Sequence, residues 1–345
     1  MAPSQYTQIV LAERPEAEIT PTTFRREVVP FNLKPGSGQV LVQVNYLSLD
    51  PAMRGWLNDR RSYMRPVQIG EVMRASGLGI VIEAGEGSAF ARGDCVSGGF
   101  GWREYAVMND KDVQKVHVSP GTELLDYLGP LSFTGLTAYF GLLDVGKVKP
   151  GDKLLVSGAA GATGSVVCQI GKQRGAKVYA IAGSADKCAW LENEIGVEKA
   201  LNYKSPTFHQ DFKNSVGYID VYFDNVGGEI LDFVLTRLNT YARIVLCGAI
   251  SDYNTSAPTG LRAYMNLISQ RAKIEGFIVS DYEERFPEAL KDLASWLASG
   301  SLKRKFTVVQ GLDNAPTGLG LLFTGGNTGK LVVKVTEDTT PSANL

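Results

Sequence analysis

The chain of 345 residues has few of the side chains that bind metal ions or form disulfides. It contains two histidines and four cysteines, and no two cysteines form a CxxC pair. A structural zinc site or a disulfide framework needs such clusters, so neither is expected. The cysteines are predicted to be free thiols in a reducing compartment, and the cytoplasm is the expected location. They are Cys95, Cys168, Cys188 and Cys247.

The two histidines are not expected to bind a metal. His117, in QKVHVSP, is predicted to be a strand residue, and His209, in TFHQDF, to lie on a surface helix. Zinc alcohol dehydrogenases need Cys and His ligands for their catalytic metal, and the chain has neither that spacing nor a GHE triplet. A GxSxG sequence is also missing, which argues against a serine hydrolase. No metal is expected.

The chain also lacks a charge excess and long apolar runs. Its formal net charge is -1, whereas partners such as nucleic acid or an anionic membrane usually select a basic surface. No apolar run reaches the ~18 residues that a membrane helix needs. The N-terminus, MAPSQYTQIVLAERPEAE, has no basic start followed by an apolar stretch, so no secretory signal is expected.

Strand-like and helix-like segments alternate in the middle of the chain. Residues 1–128 consist mostly of strand and turn patterns such as QVLVQVNYLSLD, and short strands return after residue 304, ending in GKLVVKVTE. Residues 129–304 begin with the helical pattern LSFTGLTAYFGLLDVGKV. Five candidate strands follow, separated by helix-like sequence: KLLVSG, KVYAIAG, DVYFDNVGG, ARIVLCGAI and KIEGFIVSD. The tail after Val335, TEDTTPSANL, is predicted to be loose.

This alternation predicts an α/β protein with a parallel sheet covered on both faces. A Rossmann-type doubly wound sheet, residues 129–304, is expected to be inserted into a strand-rich split domain. The split domain is predicted to consist of residues 1–128 plus 305–345.

A glycine-rich turn, LLVSGAAGATG over residues 154–164, joins the first of these strands to a helical pattern. Strand, turn, helix and second strand within ~30 residues are typical of a dinucleotide-binding unit, because the glycines and the helix start can approach a pyrophosphate. The positions aligned with GxGxxG are Ala159, Gly161 and Gly164, with Gly158 just before them. The first glycine is therefore displaced or replaced.

The end of the second strand favours NADPH over NADH. NAD enzymes usually have an acid there for the ribose hydroxyl, but this strand ends in Gly183-Ser184 with Lys187 close behind. A small tip and a cation suit a 2′-phosphate, and Tyr203, in LNYKS, could hydrogen-bond to the same group. The alternative is that Lys187 is an ordinary solvated residue and Asp186 is the acid that matters.

Three later turns are expected at the carboxyl ends of the parallel strands, where such sheets bind ligands. They contain Asn225, Cys247 to Tyr253, and Phe277 to Val279.

Hydride chemistry without a metal needs a group that holds developing negative charge and returns a proton. Because histidine is scarce, tyrosine is the natural candidate. Tyr63 is the first choice, with Tyr46, Tyr253 and Tyr264 as rivals.

Segments from nearly the whole chain resemble the zinc-independent medium-chain reductases of the leukotriene B4 dehydrogenase, prostaglandin reductase and curcumin reductase group. The similar segments are VLVQVNYLSLDPAMRG, GEVMRASGLGIV, GWREYAV, GLTAYFGLL, AAGATGSVV, YFDNVGG, CGAISDYN, EGFIVSD and GGNTGKLVVKV. The resemblance implies a GroES-like split domain and NADPH-dependent reduction of the carbon–carbon double bond in α,β-unsaturated ketones or aldehydes. It also implies a homodimer.

The resemblance also implies roles for individual residues. The cofactor residues would be Thr137, Gly161, Ala162, Thr163, Gly164, Gly183, Ser184, Lys187, Tyr203, Asn225, Cys247, Gly248, Ala249, Ile250, Ser251, Tyr253, Phe277, Ile278, Val279 and Asn327. The catalytic residues would be Tyr63 and Tyr253. The substrate would meet Tyr46, Ala52, Tyr63 and Tyr264.

Two positions depart from the family pattern. Many members read DPYMR where this chain has DPAMR, so Ala52 removes an aromatic ring. Several members carry a tyrosine where Ser269 stands, which makes the proton donor harder to assign than the cofactor.

The expected function is metal-free enone or enal reduction. The alternatives are a quinone or carbonyl reductase on the same scaffold, or a non-catalytic NADPH-binding protein.

Overall fold

The computed structural model describes residues 3–258 and 260–336, and within them the chain forms two large sheets and a separate hairpin. The strands are β1 (Gln5–Leu11), β2 (Phe24–Pro30), β3 (Gln39–Ser48), β4 (Gly77–Ala84), β5 (Cys95–Gly98), β6 (Tyr105–Asn109), β7 (Val113–Lys115), β8 (Lys153–Val156), β9 (Lys177–Ala182), β10 (Lys199–Asn202), β11 (Ile219–Asp224), β12 (Leu238–Leu246), β13 (Lys273–Gly276), β14 (Phe306–Gln310) and β15 (Lys330–Lys334). The helices are α1 (Ala52–Trp56), α2 (Phe133–Phe140), α3 (Ala162–Gln173), α4 (Ala185–Trp190), α5 (Phe208–Ser215), α6 (Gly228–Leu235), α7 (Met265–Gln270), α8 (Phe286–Ala298) and α9 (Ala315–Thr324).

The parallel sheet has the strand order β10-β9-β8-β11-β12-β13, and all its neighbouring strands are parallel. Side chains alternate between two apolar cores on opposite faces, so that Leu154 and Val156 of β8 join one core and Leu155 joins the other. The strand order reverses between β8 and β11, which is the point where open α/β sheets bind ligands. The predicted Rossmann-type sheet is confirmed.

All five candidate strands of this sheet are present, but a sixth strand, β10, was missed. Its sequence is KALN, and only Ala200 and Leu201 are buried. Two apolar residues are too few to mark a strand by pattern alone. The strand forms because its backbone pairs with β9 at the edge of the sheet.

The second sheet combines distant parts of the chain. Its order is β14-β15-β3-β4-β5-β7, with β6 also paired to β3. The last two strands therefore close a sheet that residues 39–115 began, as expected of a split domain. The limits 1–128, 129–304 and 305–345 stay a prediction.

One of the two histidines does not lie in the kind of secondary-structure element that the sequence predicts for it. His117 was predicted to be a strand residue, but β7 ends at Lys115 and His117 is an exposed loop residue. The short strand ends there because His117 and Val118 are both exposed and have no core to face. His209 is exposed on α5, as predicted.

Buried polar contacts hold the segments that cross between the two sheets. Asp126 is fully buried and lies 2.7 Å from the Nε of Arg304. Burial raises the pKa of Asp126 to about 6, while its backbone hydrogen bond and the charge of Arg304 oppose that rise. Next to Arg304, the side chain of Gln169 on α3 exchanges two hydrogen bonds with the backbone of Lys303, at 2.9 and 2.6 Å. The segment around residues 303–304, where the chain returns to the second sheet, is thus attached to both parts of the fold.

Within residues 3–258 and 260–336, no helix has the length and apolar character needed to cross a membrane. Of the tail predicted to be loose, residues 337–345 lie outside the described residues.

Candidate active site

The glycine-rich turn between β8 and α3 adopts the close packing that its sequence predicts. Gly158 has a φ of +56°, a value that favours glycine, so it performs the role of the displaced first glycine. A Cβ on Gly164 would lie 2.8 Å from the Cα of Ala159. Only glycine at position 164 therefore lets the helix start lie this close to the turn.

The start of α3 presents backbone N–H groups to the space above the turn. Gly161 is the residue before the helix, and the first N–H to bond back to its carbonyl is that of Ser165, at 3.1 Å. The N–H groups of Ala162, Thr163 and Gly164 precede that bond, as at any helix start. The N–H of Gly329 bonds to Ala160 at 2.7 Å. The side chain of Asn327 bonds in turn to the Gly329 carbonyl, at 3.0 Å. Asn327 is therefore held near the turn, and its role in binding the cofactor stays a prediction.

The tip of β9 is small, and Tyr203 and Lys187 lie beside it. A Cβ on Gly183 would lie 3.1 Å from the ring of Tyr203, so the glycine lets that ring lie over the strand tip. Ser184 accepts a hydrogen bond from the Lys187 backbone at 3.3 Å and begins α4. The Nζ of Lys187 donates to the Gly325 carbonyl at 2.9 Å. Partial burial and nearby Lys204 lower the pKa of Lys187. Lys187 is therefore not a fully solvated lysine, whereas Asp186 is exposed.

A buried carboxylate, Asp224, organises the ends of the central strands, and the sequence reasoning missed it. It accepts hydrogen bonds from the hydroxyls of Ser157 and Tyr222, both at 2.7 Å. It also accepts from the backbone N–H groups of Val226 and Gly227, at 3.0 and 3.1 Å. Burial raises the pKa of Asp224 even though these hydrogen bonds lower it. The available signal was an acidic residue at the end of an otherwise apolar strand, in DNVGG.

The loops after β11 and β12 form one unit around Asp224. Asn225 bonds to Ser157 through its backbone N–H at 2.9 Å and through its side chain at 2.7 Å. The N–H groups of Cys247 and Gly248 bond to the Asp224 carbonyl at 2.9 and 3.1 Å. The structure thus joins the predicted cofactor loops at one edge of the sheet. The predicted loop residues Ile250 and Ser251 bond to Asn225 and Val226 through their own N–H groups.

Cys247 is half-buried beside this unit. Burial and the charge of Asp224 raise the pKa of its thiol to about 12. At neutral pH the side chain is therefore a neutral thiol rather than a nucleophilic thiolate. All four cysteines are free, as predicted.

Phe277 and Thr137 lie on the α2 side of the parallel sheet. The ring of Phe277 is so close to the end of α2 that a Cβ on Gly141, the residue after this helix, would collide with it. Gly141 follows half-buried Thr137 by four residues, and residues with this spacing share one helix face. Phe277 and Val279 pack on the core, so their side chains have packing roles. A role for Ile278 and these residues in binding the cofactor stays a prediction.

The two predicted catalytic tyrosines belong to different parts of the fold. Tyr63, in the loop after α1, is 56% exposed and accepts a hydrogen bond from the indole N–H of Trp56 at 3.2 Å. Tyr253 accepts from the backbone N–H of Ala249 at 3.2 Å. Burial raises the pKa of Tyr253, and Cys247 and Tyr63 raise it further. The α1 segment that contacts Tyr63 and the loop that carries Tyr253 are joined by a hydrogen bond from the Nε of Arg54 to the side chain of Asn254, at 3.1 Å.

Other predicted residues lie elsewhere or have packing roles. Tyr46 is half-buried on β3 and packs against Leu78 and its apolar neighbours. Tyr264 is 54% exposed just before α7. Ala52 is half-buried at the start of α1. The side chain of Ser269 bonds to the backbone of its own helix, at 3.2 Å. Contacts of Tyr46, Ala52 and Tyr264 with substrate stay predictions.

We expect Asp224→Asn to lower the free energy of unfolding by about 2–4 kcal/mol, because an amide NH2 would face hydrogen-bond donors in a buried network. Urea unfolding measures this loss. Asp281→Asn, at an exposed acidic residue between β13 and α8, is the control and should change little. Equal stability of the two variants would show that the network does not hold the strand ends together.

Among the described residues, no group of three or more His, Cys, Asp or Glu side chains is placed to hold a metal ion.

Two family models match the chain. One describes the N-terminal domain of oxidoreductases and matches residues 7–116, and the other, for zinc-binding dehydrogenases, matches residues 162–295.

Several characterised or named proteins are similar over almost their whole length. A putative NADP-dependent oxidoreductase, YfmJ, of Bacillus subtilis is 42% identical over 96% of this chain and 98% of its own. The NADPH-dependent curcumin reductase of Escherichia coli is 39% identical over 95% and 96%. The NADP(+)-dependent 2-alkenal reductase of Nicotiana tabacum is 37% identical over 88% and 89%.

The fold also matches solved structures closely. The crystal structure of CurA from Vibrio vulnificus in complex with NADPH has a TM-score of 0.89 and 39% identity, covering 96% of this chain and 99% of CurA. The chain belongs to the medium-chain dehydrogenase/reductase family, in its double-bond reductase group of NADP-dependent oxidoreductases.

Proposed function

We propose that the protein uses NADPH to reduce the carbon–carbon double bond of α,β-unsaturated ketones or aldehydes, without a metal. The observation that carries the proposal is the hydrogen bond from Arg54 to Asn254, which joins the α1 segment that contacts Tyr63 to the Tyr253 loop at the end of β12. The names of the relatives, curcumin reductase and 2-alkenal reductase, support this substrate class.

The residues at the sheet edge suit NADPH. The N–H groups at the start of α3 would hold the pyrophosphate, because a helix start attracts anions. Lys187 has three N–H donors and uses one on Gly325, so it can also hold a 2′-phosphate beside Tyr203 and Ser184. The rest of the cofactor would contact Asn225, Asn327, Thr137 and the loops over residues 247–253 and 277–279. When bound, NADPH supplies the hydride that the β-carbon of the substrate receives.

The tyrosines supply the hydrogen bonds that the reaction needs in addition to the hydride. Negative charge develops on the substrate carbonyl oxygen as an enolate forms. The O–H of Tyr63 donates to that oxygen, with the ribose hydroxyl of the cofactor as a second donor, and Tyr253 borders the same space. The α-carbon then receives a proton from a tyrosine or from water. A hydrogen-bond donor at a developing oxyanion suits this role because it binds the charged state more strongly than the neutral one.

The function predicts NADPH consumption with enones and enals, with the saturated ketone or aldehyde as product. Tyr63→Phe should lower kcat by ~10²–10³, the usual effect of losing an oxyanion donor. The measurement is NADPH oxidation across enones, enals, quinones and saturated ketones, with product identification. Tyr218→Phe, at a tyrosine that is 53% exposed, is the matched control. Reduction of quinones or carbonyl groups alone would contradict the proposal, as would NADPH binding without turnover.

The charge at the end of β9 predicts the cofactor preference. Lys187→Ala should raise the KM for NADPH by about 10- to 100-fold, since a hydrogen bond to a charged group contributes ~1.5–3 kcal/mol. The KM for NADH should stay the same because NADH has no 2′-phosphate. Lys213→Ala, at an exposed lysine on α5, is the control. Equal effects on the two cofactors would contradict the assignment of Lys187.

We further propose a homodimer in which the edge of β13 and the face of α7 meet a second copy. β13 ends the described parallel sheet, and the neighbouring Tyr264, Met265 and Ile268 are 54%, 66% and 74% exposed. Light scattering should give twice the 37.3 kDa chain mass, and Ile268→Asp should shift it toward one chain. Val118→Asp, at an exposed residue after β7, should leave the mass unchanged. A monomeric native protein would contradict the proposal.

The four free thiols support a location in the cytoplasm, because such thiols persist where the surroundings are reducing. Cell fractionation tests this location, and recovery from a secreted fraction would overturn it.

A further inference from the structure

The loop that carries Tyr63 is held firmly at its far end. The N–H of Val67 bonds to the Trp56 carbonyl at 2.9 Å, and the N–H of Gly70 bonds to Leu11 at 2.7 Å. Arg74 adds a hydrogen bond to the carbonyl of Pro66 at 3.1 Å. Tyr63 itself lies nearer the tip, where residues 59–65 are all exposed. Its phenol is oriented there by the hydrogen bond from Trp56.

Trp56 is mounted on a helix that is attached to both parts of the fold. α1 precedes the loop, and its buried Arg54 donates to the carbonyls of Pro15 and Ala17, at 3.1 and 2.7 Å. The Nε of Arg54 also donates to the side chain of Asn254, at 3.1 Å. Asn254 directly follows Tyr253, so one short helix is bonded both to the strand-rich core and to the loop of the second phenol. Trp56 packs on that core as well.

The chemistry of the contact between Trp56 and Tyr63 is directional. An indole N–H can only donate, whereas a phenol oxygen can both accept and donate. Because Trp56 occupies the accepting side of the Tyr63 oxygen, the O–H of Tyr63 is left to donate to another group. A donated hydrogen bond also strengthens the phenol as a donor, since hydrogen bonds in a chain polarise one another. Tyr253 has the matching arrangement, with the N–H of Ala249 as its donor.

We infer that Trp56 is a positioning residue for the reaction: its indole N–H holds and directs the Tyr63 phenol so that the Tyr63 O–H points to the substrate carbonyl oxygen. This inference rests on the proposed function. Trp56 itself does not contact the reacting atoms. It acts through Tyr63, so its effect must vanish when the Tyr63 hydroxyl is removed.

A double-mutant cycle tests that dependence. Trp56→Phe keeps an aromatic ring but removes the N–H, and we expect kcat for an enone to fall by about three- to tenfold, the effect of losing one neutral hydrogen bond. The KM for NADPH should not change. In the Tyr63→Phe background the same substitution should cause no further loss. Trp296→Phe, which removes an indole N–H from α8, is the matched control.

Equal losses in the two backgrounds would overturn the inference, because they would indicate a structural role that does not pass through Tyr63. An unchanged kcat in the Trp56→Phe single variant would also overturn it. Thermal unfolding of each variant shows whether the protein is folded under the assay conditions.

A second measurement does not depend on enzyme activity. The indole N–H resonance of Trp56, assigned in the native protein by triple-resonance spectra, should move upfield and exchange faster with solvent in Tyr63→Phe. An unchanged resonance would overturn the inference even if Trp56→Phe fails to fold. If the native protein reduces no enone, the proposed function fails, and this resonance still decides whether Trp56 holds Tyr63.

Discussion

The buried carboxylate of Asp224 is the interaction on which the nucleotide-binding edge depends. An unpaired charge in this position would be very costly, so the surrounding groups must bond to it. Its partners come from the residue after β8, from β11 and from the turn after β11, and its own carbonyl accepts hydrogen bonds from the loop after β12. These strand ends therefore keep one arrangement, and the loops that follow them start from fixed points.

A second constraint joins the two parts of the fold that carry the proposed catalytic tyrosines. Tyr63 belongs to the strand-rich part and Tyr253 to the parallel-sheet part. These parts are joined by two contacts that cross between them: Arg54 with Asn254, and Lys187 with the Gly325 carbonyl. The proposed phosphate-binding lysine and the proposed oxyanion donors therefore depend on the same contacts between the two parts of the fold.

Much of this architecture could be predicted from local patterns. Buried strands such as β9 and β11 are continuous apolar runs, and the turn before α3 has glycine where the backbone is crowded. β10 could not be predicted, because it has two buried residues and owes its conformation to pairing with β9. His117 was wrongly predicted to be a strand residue. The strand before His117 ends where the chain no longer faces the core.

The sequence by itself determined the parallel sheet, the glycine turn, the absence of an acidic residue at the β9 tip and the scarcity of metal ligands. These features follow from residue spacing and composition, which do not need long-range contacts. Only the tertiary structure decided that Gly158 takes the role of the displaced glycine, that Asp224 joins the strand ends, and that Trp56 donates to Tyr63. The physical reason is that burial and hydrogen-bond partners are properties of residues brought together by the fold, and no local pattern records which partner a side chain will meet.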